Sequence, residues 1–272
     1  MAASRAFLAV CAIVRNEAEY IDEWLTYHRA IGVERFFIYN NNSTDRTSEI
    51  IENSECFGSV RLMHWPPIPG QLAAYSHTLD SFRNKAEWCA FIDCDEFLCP
   101  QSDLSVAQVL AGLDDSCGGL YAHWLMFGSS GQVNRRPGRV TGRFVRRGYN
   151  DFGPNCFGKT IIRMRHATGV LNPHIVQCKG RMLNDSGVEI DQARYGHHSA
   201  PSHRLLALNH YFTKSLEEWH RRRSLGKADK QAGDPEFIRS EEEFWQHDVN
   251  DVIDMRAARI MQLADSAGAR GS

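Results

Sequence analysis

The sequence predicts an α/β protein whose N-terminal part is a parallel sheet with helices on both faces. Three observations carry this. Apolar runs of strand length recur at 7–14, 34–40, 59–65 and 88–93, and they are nearly continuous rather than alternating. Strands buried on both faces have that pattern. Segments with apolar residues at helical spacing lie between the runs. The connections are short, so strand and helix alternate along the chain, which implies parallel neighbours.

The elements follow in order. "FLAVCAIV" (7–14) is the first strand. "EAEYIDEWLTYHRAIG" (17–32) sets Tyr20, Ile21, Trp24, Leu25, His28 and Ile31 at helical spacing and stops at Gly32. "ERFFIYN" (34–40) is the second strand, and "STDRTSEIIENSE" (43–55) a short helix with Ser43 or Thr44 as its N-cap. "SVRLMHW" (59–65) is the third strand, broken by Pro66, Pro67, Pro69 and Gly70. "QLAAYSHTLDSFRNKA" (71–86) is a helix and "WCAFID" (88–93) the fourth strand. From 118 to 180 the chain changes character and predicts mixed or antiparallel strands: 118–131 runs into a Gly/Ser loop, 138–148 is basic, 150–164 turns from loop to strand, and 171–177 holds a short apolar run. Residues 214–265 read as helical, and the tail 265–272 as disordered. There is no internal repeat.

The chain has 272 residues, 43% of them hydrophobic and 24% charged, which is the balance of a globular protein. A net charge of −2 gives no basic excess for a nucleic-acid partner. No apolar run reaches the length of a transmembrane helix, and "MAASRAFLAVCAIVRNEAEY" lacks the cleavage site of a signal peptide. Peripheral membrane association is compatible with this. None of the eight cysteines forms a CxxC pair, so they read as thiols of a reducing compartment, and the expected location is cytoplasmic.

In doubly wound sheets, ligands bind beyond the C-terminal ends of the strands. The strand exits are therefore the candidate site: Arg15-Asn16-Glu17, Asn40 to Asp45, Trp65 to Gln71, and Asp93 to Glu96. Asp93-Cys94-Asp95 places two carboxylates at i and i+2, which can hold Mg²⁺ or Mn²⁺ through oxygen and offset the charge of a nucleotide diphosphate. A solvated acidic loop is the plain alternative. "NNNSTD" (40–45) is either a capped helix start or a set of polar groups for a nucleotide, and "FGSSG" (127–131) either a turn or a close approach of backbone to a sugar. His174, His210 and His197-His198 are loop histidines or metal ligands. Lys214, Arg221, Arg222, Arg223 and Lys227 form a basic run that can grip a diphosphate or face solvent.

Taken together these stretches resemble GT-A fold glycosyltransferases of the family 2-like and family 92 group. The resemblance runs through "CAIVRNEAEYIDEWLTYHRAIGVERFFIYNNNSTDRT" (11–47), "Q…AY" (71–75), "WCAFIDCDEFL" (88–98), "HWLMFGSSG" (123–131), "GKTIIR" (158–163) and "NHYFTKSLEEW" (209–219), in that order. It implies a GT-A, Rossmann-like mixed sheet flanked by helices with a C-terminal helical extension. Residues 1–212 would be the catalytic domain, with 1–100 its nucleotide-binding half and 101–212 its acceptor-binding half, and 213–272 a helical segment. The implied reaction moves a sugar from a nucleotide-diphosphate sugar, a UDP-sugar first, to a hydroxyl of a glycan or glycoconjugate acceptor, with inversion and with Mn²⁺ or Mg²⁺. By this resemblance Asp93 and Asp95 flank the metal, and His174, with His210 second, completes its shell. Arg15, Glu17, Asn42 and Asp45 line the nucleotide pocket, with Gln71, Asp93 and Lys214 beside the donor.

Inversion needs a general base at the acceptor hydroxyl. The chain departs here from the family 2 pattern: no Glu-Asp pair follows the DxD, and between Gly131 and His174 the only carboxylate is Asp151. Asp151 is the base candidate and Glu96 the second. Two other functions fit a similar sheet. A sugar nucleotidyltransferase usually has a Gly-rich loop after its first strand, and "RNEAEY" has no glycine. A non-catalytic carbohydrate-binding domain would not need both Asp93 and Asp95.

Overall fold

Strand β1 (Ala6–Val14) is flanked by α1 (Ile21–Ala30), β2 (Arg35–Asn40), α2 (Thr47–Asn53), β3 (Val60–His64), α3 (Gln71–Phe82) and β4 (Ala86–Phe91) in sequence. The structure is a computed structural model that describes residues 5–198, 201–223, 225–226, 230, 233–235 and 237–268. The four strands lie in the order β3-β2-β1-β4, all parallel. Their register brings Val14 opposite Asn40, Asn40 opposite His64, and Cys11 opposite Phe91. The exits of β1, β2 and β4 therefore open on one edge of the sheet.

Alternation along β1 feeds two cores. Leu8, Val10, Ala12 and Val14 point to the face covered by α1, with Trp24, Leu25 and Ile51. Ala9, Cys11 and Ile13 point to the face covered by α3, with Ala74, Tyr75 and Leu79. This is the doubly wound arrangement expected from the continuous apolar runs. The start of α2 corrects one expectation. Neither Ser43 nor Thr44 caps it. The helix begins at Thr47, whose backbone N–H and hydroxyl both donate to Asp45 Oδ1.

The second half is mixed, as expected. It comprises β5 (Glu96–Pro100), α4 (Val106–Ala111), β6 (Cys117–Met126), α5 (Val140–Arg143), β7 (Arg146–Arg147), β8 (Gly158–Arg163), β9 (Ala167–Val170), β10 (Val176–Cys178), β11 (Arg181–Asn184) and β12 (Leu206–His210). β8 runs antiparallel between β4 and β6, and β12 joins β6 to β5. Among the described residues, one nine-stranded sheet results. The antiparallel β12–β5 register sets His210 opposite Glu96.

The C-terminal segment holds α6 (Leu216–Arg223), α7 (Glu241–His247), β13 (Val252–Ile253) and α8 (Arg256–Gly268). It is not helical throughout: β13 interrupts it and pairs with β7. α8 reaches Gly268, so residues 265–268 of the expected disordered tail are helix; the rest of that tail lies outside the described residues. Ala257 and Met261 of α8 are buried in the same core as Trp24. Among the described residues, no helix is long and apolar enough to cross a membrane.

Candidate functional site

The strand exits are tied together before any ligand is considered. Asn16, with φ +56°, accepts a hydrogen bond at Oδ1 from the N–H of Thr44 (2.7 Å), linking the exits of β1 and β2. Asp45 Oδ2 accepts from the N–H of Ala18, and Asn42 donates to the carbonyl of Pro66. The "NNNSTD" turn is thus held by its own polar side chains. Below the exits opens a cavity of about 490 Å³, lined by Arg15, Glu17, Gln71, Asp93 and Asp95 from the N-terminal half. Trp124, Phe157, Lys159, His174 and His210 line it from the middle, and Arg222, Arg239 and Glu243 from the C-terminal segment.

The two aspartates have different surroundings. Asp93 is about one-third exposed; its Oδ1 accepts from Gln71 Nε2 (2.8 Å) and its Oδ2 from Lys159 Nζ (2.8 Å). Burial works against the charge of Lys159, but Asp93 beside it prevails and holds the ammonium up at about 12. Asp95 is buried. Its Oδ2 lies 2.6 Å from Arg222 Nη2 and 3.5 Å from His210 Nε2, without a well-aligned hydrogen bond. Burial opposes its charge, yet Arg222 and then His210 outweigh this and hold the carboxyl well below the usual range.

Glu96 faces the protein, not the cavity. It is fully buried, accepts from the N–H of Asp93 (2.8 Å) and from Trp124 Nε1 (2.7 Å), and burial raises its pKa. It fixes the backbone at Asp93 and orients an indole of the cavity wall. Asp151 sits on an exposed turn and is not among the residues lining the cavity. The structure brings neither expected base to the cavity.

His174 and His210 both pack against Trp124, with ring centroids at 5.3 and 4.4 Å. His174 is anchored at Nδ1 to the carbonyl of Gly158 (3.0 Å), and burial lowers its pKa to about 4. His210 is the histidine beside Asp95, and burial lowers its pKa against the pull of that carboxylate. Among the described residues, no group of three His, Cys, Asp or Glu side chains is disposed to hold a metal ion. Asp95 and His210 do offer an oxygen and a neutral nitrogen to the cavity. That donor set fits a cation that takes its remaining ligands from substrate phosphates, as Mg²⁺ and Mn²⁺ sites do.

A second cavity, of about 610 Å³, adjoins the first, since Glu17, Arg222 and Leu225 line both. Asp45 and Lys214 line the second cavity, and Asn42 neither. Burial pushes the Glu17 carboxyl up to about 7, against Lys214 and Arg222. Lys214, at φ +53°, rests its Nζ 4.5 Å from the centroid of Tyr20.

Sequence reasoning missed Arg239, Glu243 and the aromatic wall, weighed Lys159 only as a possible addition to the basic run, and left that run, Arg222 included, open between a diphosphate grip and a solvated face. Two of that run pair at the surface, Arg221 with Glu19 and Glu217 and Arg223 with Glu241, while Lys214 is buried. Lys227 lies outside the described residues. The "FGSSG" loop packs against the C-terminal segment. The N–H groups of Ser129 and Ser130 donate to Asp248 (2.6 Å) and Asn250 (2.7 Å), and a Cβ on Gly128 would stand 2.3 Å from the carbonyl oxygen of Val249.

A glycosyltransferase family 92 protein of Oryza sativa subsp. japonica is 41% identical over 93 residues, 34% of this chain and 16% of that protein. One from Ricinus communis is 34% identical over 110 residues, 40% of this chain and 20% of that protein. The matched stretch thus spans about a fifth or less of these relatives. Among solved structures, a mycobacterial protein aligns at 16% identity and TM-score 0.36, over 59% of this chain and 54% of that one. Glucosyl-3-phosphoglycerate synthase from Mycobacterium tuberculosis, in complex with Mn²⁺, UDP and glucosyl-3-phosphoglycerate, aligns at 17% identity and TM-score 0.31, over 50% and 47%. The model of glycosyltransferase family 92 matches residues 7–239, most of the sequence, and the chain belongs to that family.

Proposed function

We propose that this chain transfers a sugar, with inversion, from a UDP-sugar to a hydroxyl of a glycan acceptor. The observation that carries the reading is the placement of Asp95, His210 and Arg222 together on the cavity at the strand exits. Asp95 and His210 would hold Mn²⁺ or Mg²⁺, with Asp93 beside them. When bound, the cation neutralises the diphosphate and favours its departure. Arg222 and Arg239 supply further positive charge to the leaving group. The second cavity, reached past Glu17 and Arg222, takes the nucleoside, with Asp45 and Lys214 on its wall and Arg15 on the wall of the first.

In the transfer step, the acceptor oxygen bonds to the anomeric carbon as the bond to the diphosphate breaks, and the acceptor proton passes to a carboxylate. Asp93 and Asp95 belong to the cation site, and Glu17 to the wall shared with the nucleoside cavity. Glu243 of α7 is the remaining carboxylate among the described lining residues, and we assign it the proton in preference to Asp151 and Glu96. The eight free thiols fit a reducing, cytoplasmic setting.

Calorimetric titration with UDP, with and without Mn²⁺, tests the reading. Binding is expected to need the metal and to be lost in Asp95→Ala, and a panel of UDP-sugars should release UDP in metal-dependent fashion. Absence of UDP binding under all conditions, or equal binding by Asp95→Ala, overturns it.

A further inference from the structure

One wall of the cavity is unlike the rest. The charged groups gather around Asp95 and Arg222. Trp124, Phe157, Pro173 and His174 form an apolar, largely aromatic surface instead. Its rings are in mutual contact: Trp124 to Phe157 at 5.7 Å between centroids, Trp124 to His174 at 5.3 Å, and Phe157 to His174 at 5.5 Å. The surface continues outward. His174 meets Tyr195 at 5.6 Å, and Tyr195 is 58% exposed.

This wall is preorganised. Trp124 is fixed through its indole N–H by Glu96, and His174 through Nδ1 by the Gly158 carbonyl. Gly196 (φ +96°) packs so close to His174 that a Cβ there would lie 2.4 Å from the His174 Cβ. The Gly196 carbonyl accepts a hydrogen bond from the buried Tyr121 hydroxyl. Tyr195 is thereby held at the rim. At the inner end, Lys159 donates both to Asp93 (2.8 Å) and to the carbonyl of Pro173 (3.0 Å), so polar groups stand where the aromatic surface meets the aspartates.

We infer that this wall is the acceptor subsite. A pyranose ring of the acceptor lays its C–H face on Trp124, Phe157 and His174, with Tyr195 receiving the next sugar of the chain. Rings that offer broad apolar area, with a few placed polar groups beside them, are the usual construction of such sites. The inference rests on the glycosyltransferase reading. The position of the wall selects the acceptor over the donor. The nucleoside and diphosphate are drawn toward Glu17, Arg222 and the second cavity, whereas the aromatic surface leads from Asp93 out to solvent, where a polymeric acceptor must enter.

Saturation-transfer NMR with methyl β-D-glucopyranoside and methyl β-D-galactopyranoside tests this on the full chain. Saturation of the protein's aromatic protons should reach the ring protons of one sugar face most strongly, and should persist when UDP and Mn²⁺ are added. Tyr195→Ala, at an exposed rim, and Phe157→Leu should each weaken methyl-pyranoside binding by about 10-fold, while UDP affinity by calorimetry stays the same. Unchanged pyranoside binding in both variants overturns the subsite, as does no pyranoside binding to the wild type. Displacement of the pyranoside by UDP alone assigns the wall to the donor and also overturns it. Failure of UDP to bind at all, with one-face saturation intact, refutes the donor reading and leaves the subsite supported.

Discussion

Arg222, on a helix more than a hundred residues downstream, sets its Nη2 2.6 Å from Oδ2 of the buried Asp95. The guanidinium provides most of the charge that holds this carboxyl well below its usual range. Removing it leaves a buried carboxylate with His210 as its nearest partner. Arg222→Ala is expected to lose about 3 kcal/mol of stability, read by denaturant unfolding. Its UDP affinity should also fall, because the same arginine lines the cavity proposed to take the diphosphate. An unchanged midpoint would show that Asp95 is stabilised by something else.

The two histidines of the cavity should separate cleanly. His210→Ala is expected to weaken Mn²⁺ binding in the presence of UDP by about 100-fold, because it faces Asp95. His174→Ala should leave Mn²⁺ affinity nearly unchanged, since its anchored ring packs against the aromatic wall. The reverse ranking in calorimetry or Mn²⁺ EPR assigns the metal to His174.

Glu243→Gln should preserve UDP and Mn²⁺ binding but slow transfer by about 100-fold or more, as expected for a lost general base. Asp151→Asn is the control. Full activity in Glu243→Gln with a slow Asp151→Asn would return the role to the exposed turn.

His28 gives a pH dependence with a definite sign. It is fully buried, with Nδ1 against the Trp24 carbonyl and Nε2 accepting from the N–H of Leu98, and burial lowers its pKa to about 3. A depressed pKa means the folded state resists a proton that the unfolded chain takes up near pH 6.5. Its contribution is present above that pH and is lost as pH falls toward 3, at about 1.4 kcal/mol per pH unit. His28→Gln should flatten the fall of the thermal midpoint below pH 6.5, and an unaltered slope would count against this source.

Gly128→Ala tests how the C-terminal segment is docked. Its Cβ would meet the Val249 carbonyl oxygen, so the 248–250 loop must shift, at about 1–3 kcal/mol. Faster proteolytic cleavage near residues 248–250 is the expected sign, and wild-type resistance would exclude a tight contact.

The parallel half was legible because its strands are buried on both faces and leave continuous apolar runs, as in "FLAVCAIV". Asp93 and Asp95 were legible from their place after the fourth run. β5 was not, because "EFLCP" directly continues the acidic turn. α4 was missed although Ser105 and Gln108 form a capping box, a signal the sequence does carry. That His210 stands beside Asp95 was not legible, because its place comes from the β12–β5 register, which is not written locally. Arg222 and Arg221 are neighbours in one basic run, and only the packing of α6 sends one inward and the other to solvent. Lys159, between β4 and β6 in space, pairs with an aspartate 66 positions away.

The cavity lining runs from Ile13 to His247. During synthesis the strands that carry both aspartates leave the ribosome early, but the groups that balance Asp95 arrive much later, with His210 and Arg222. Domains fold as units, N-terminal parts first. A nascent chain lacking the later residues holds an uncompensated carboxylate at the end of β4, and its sheet is not yet closed by β12. The site therefore comes into being as one of the last acts of folding, and a truncated product lacks the groups that balance Asp95.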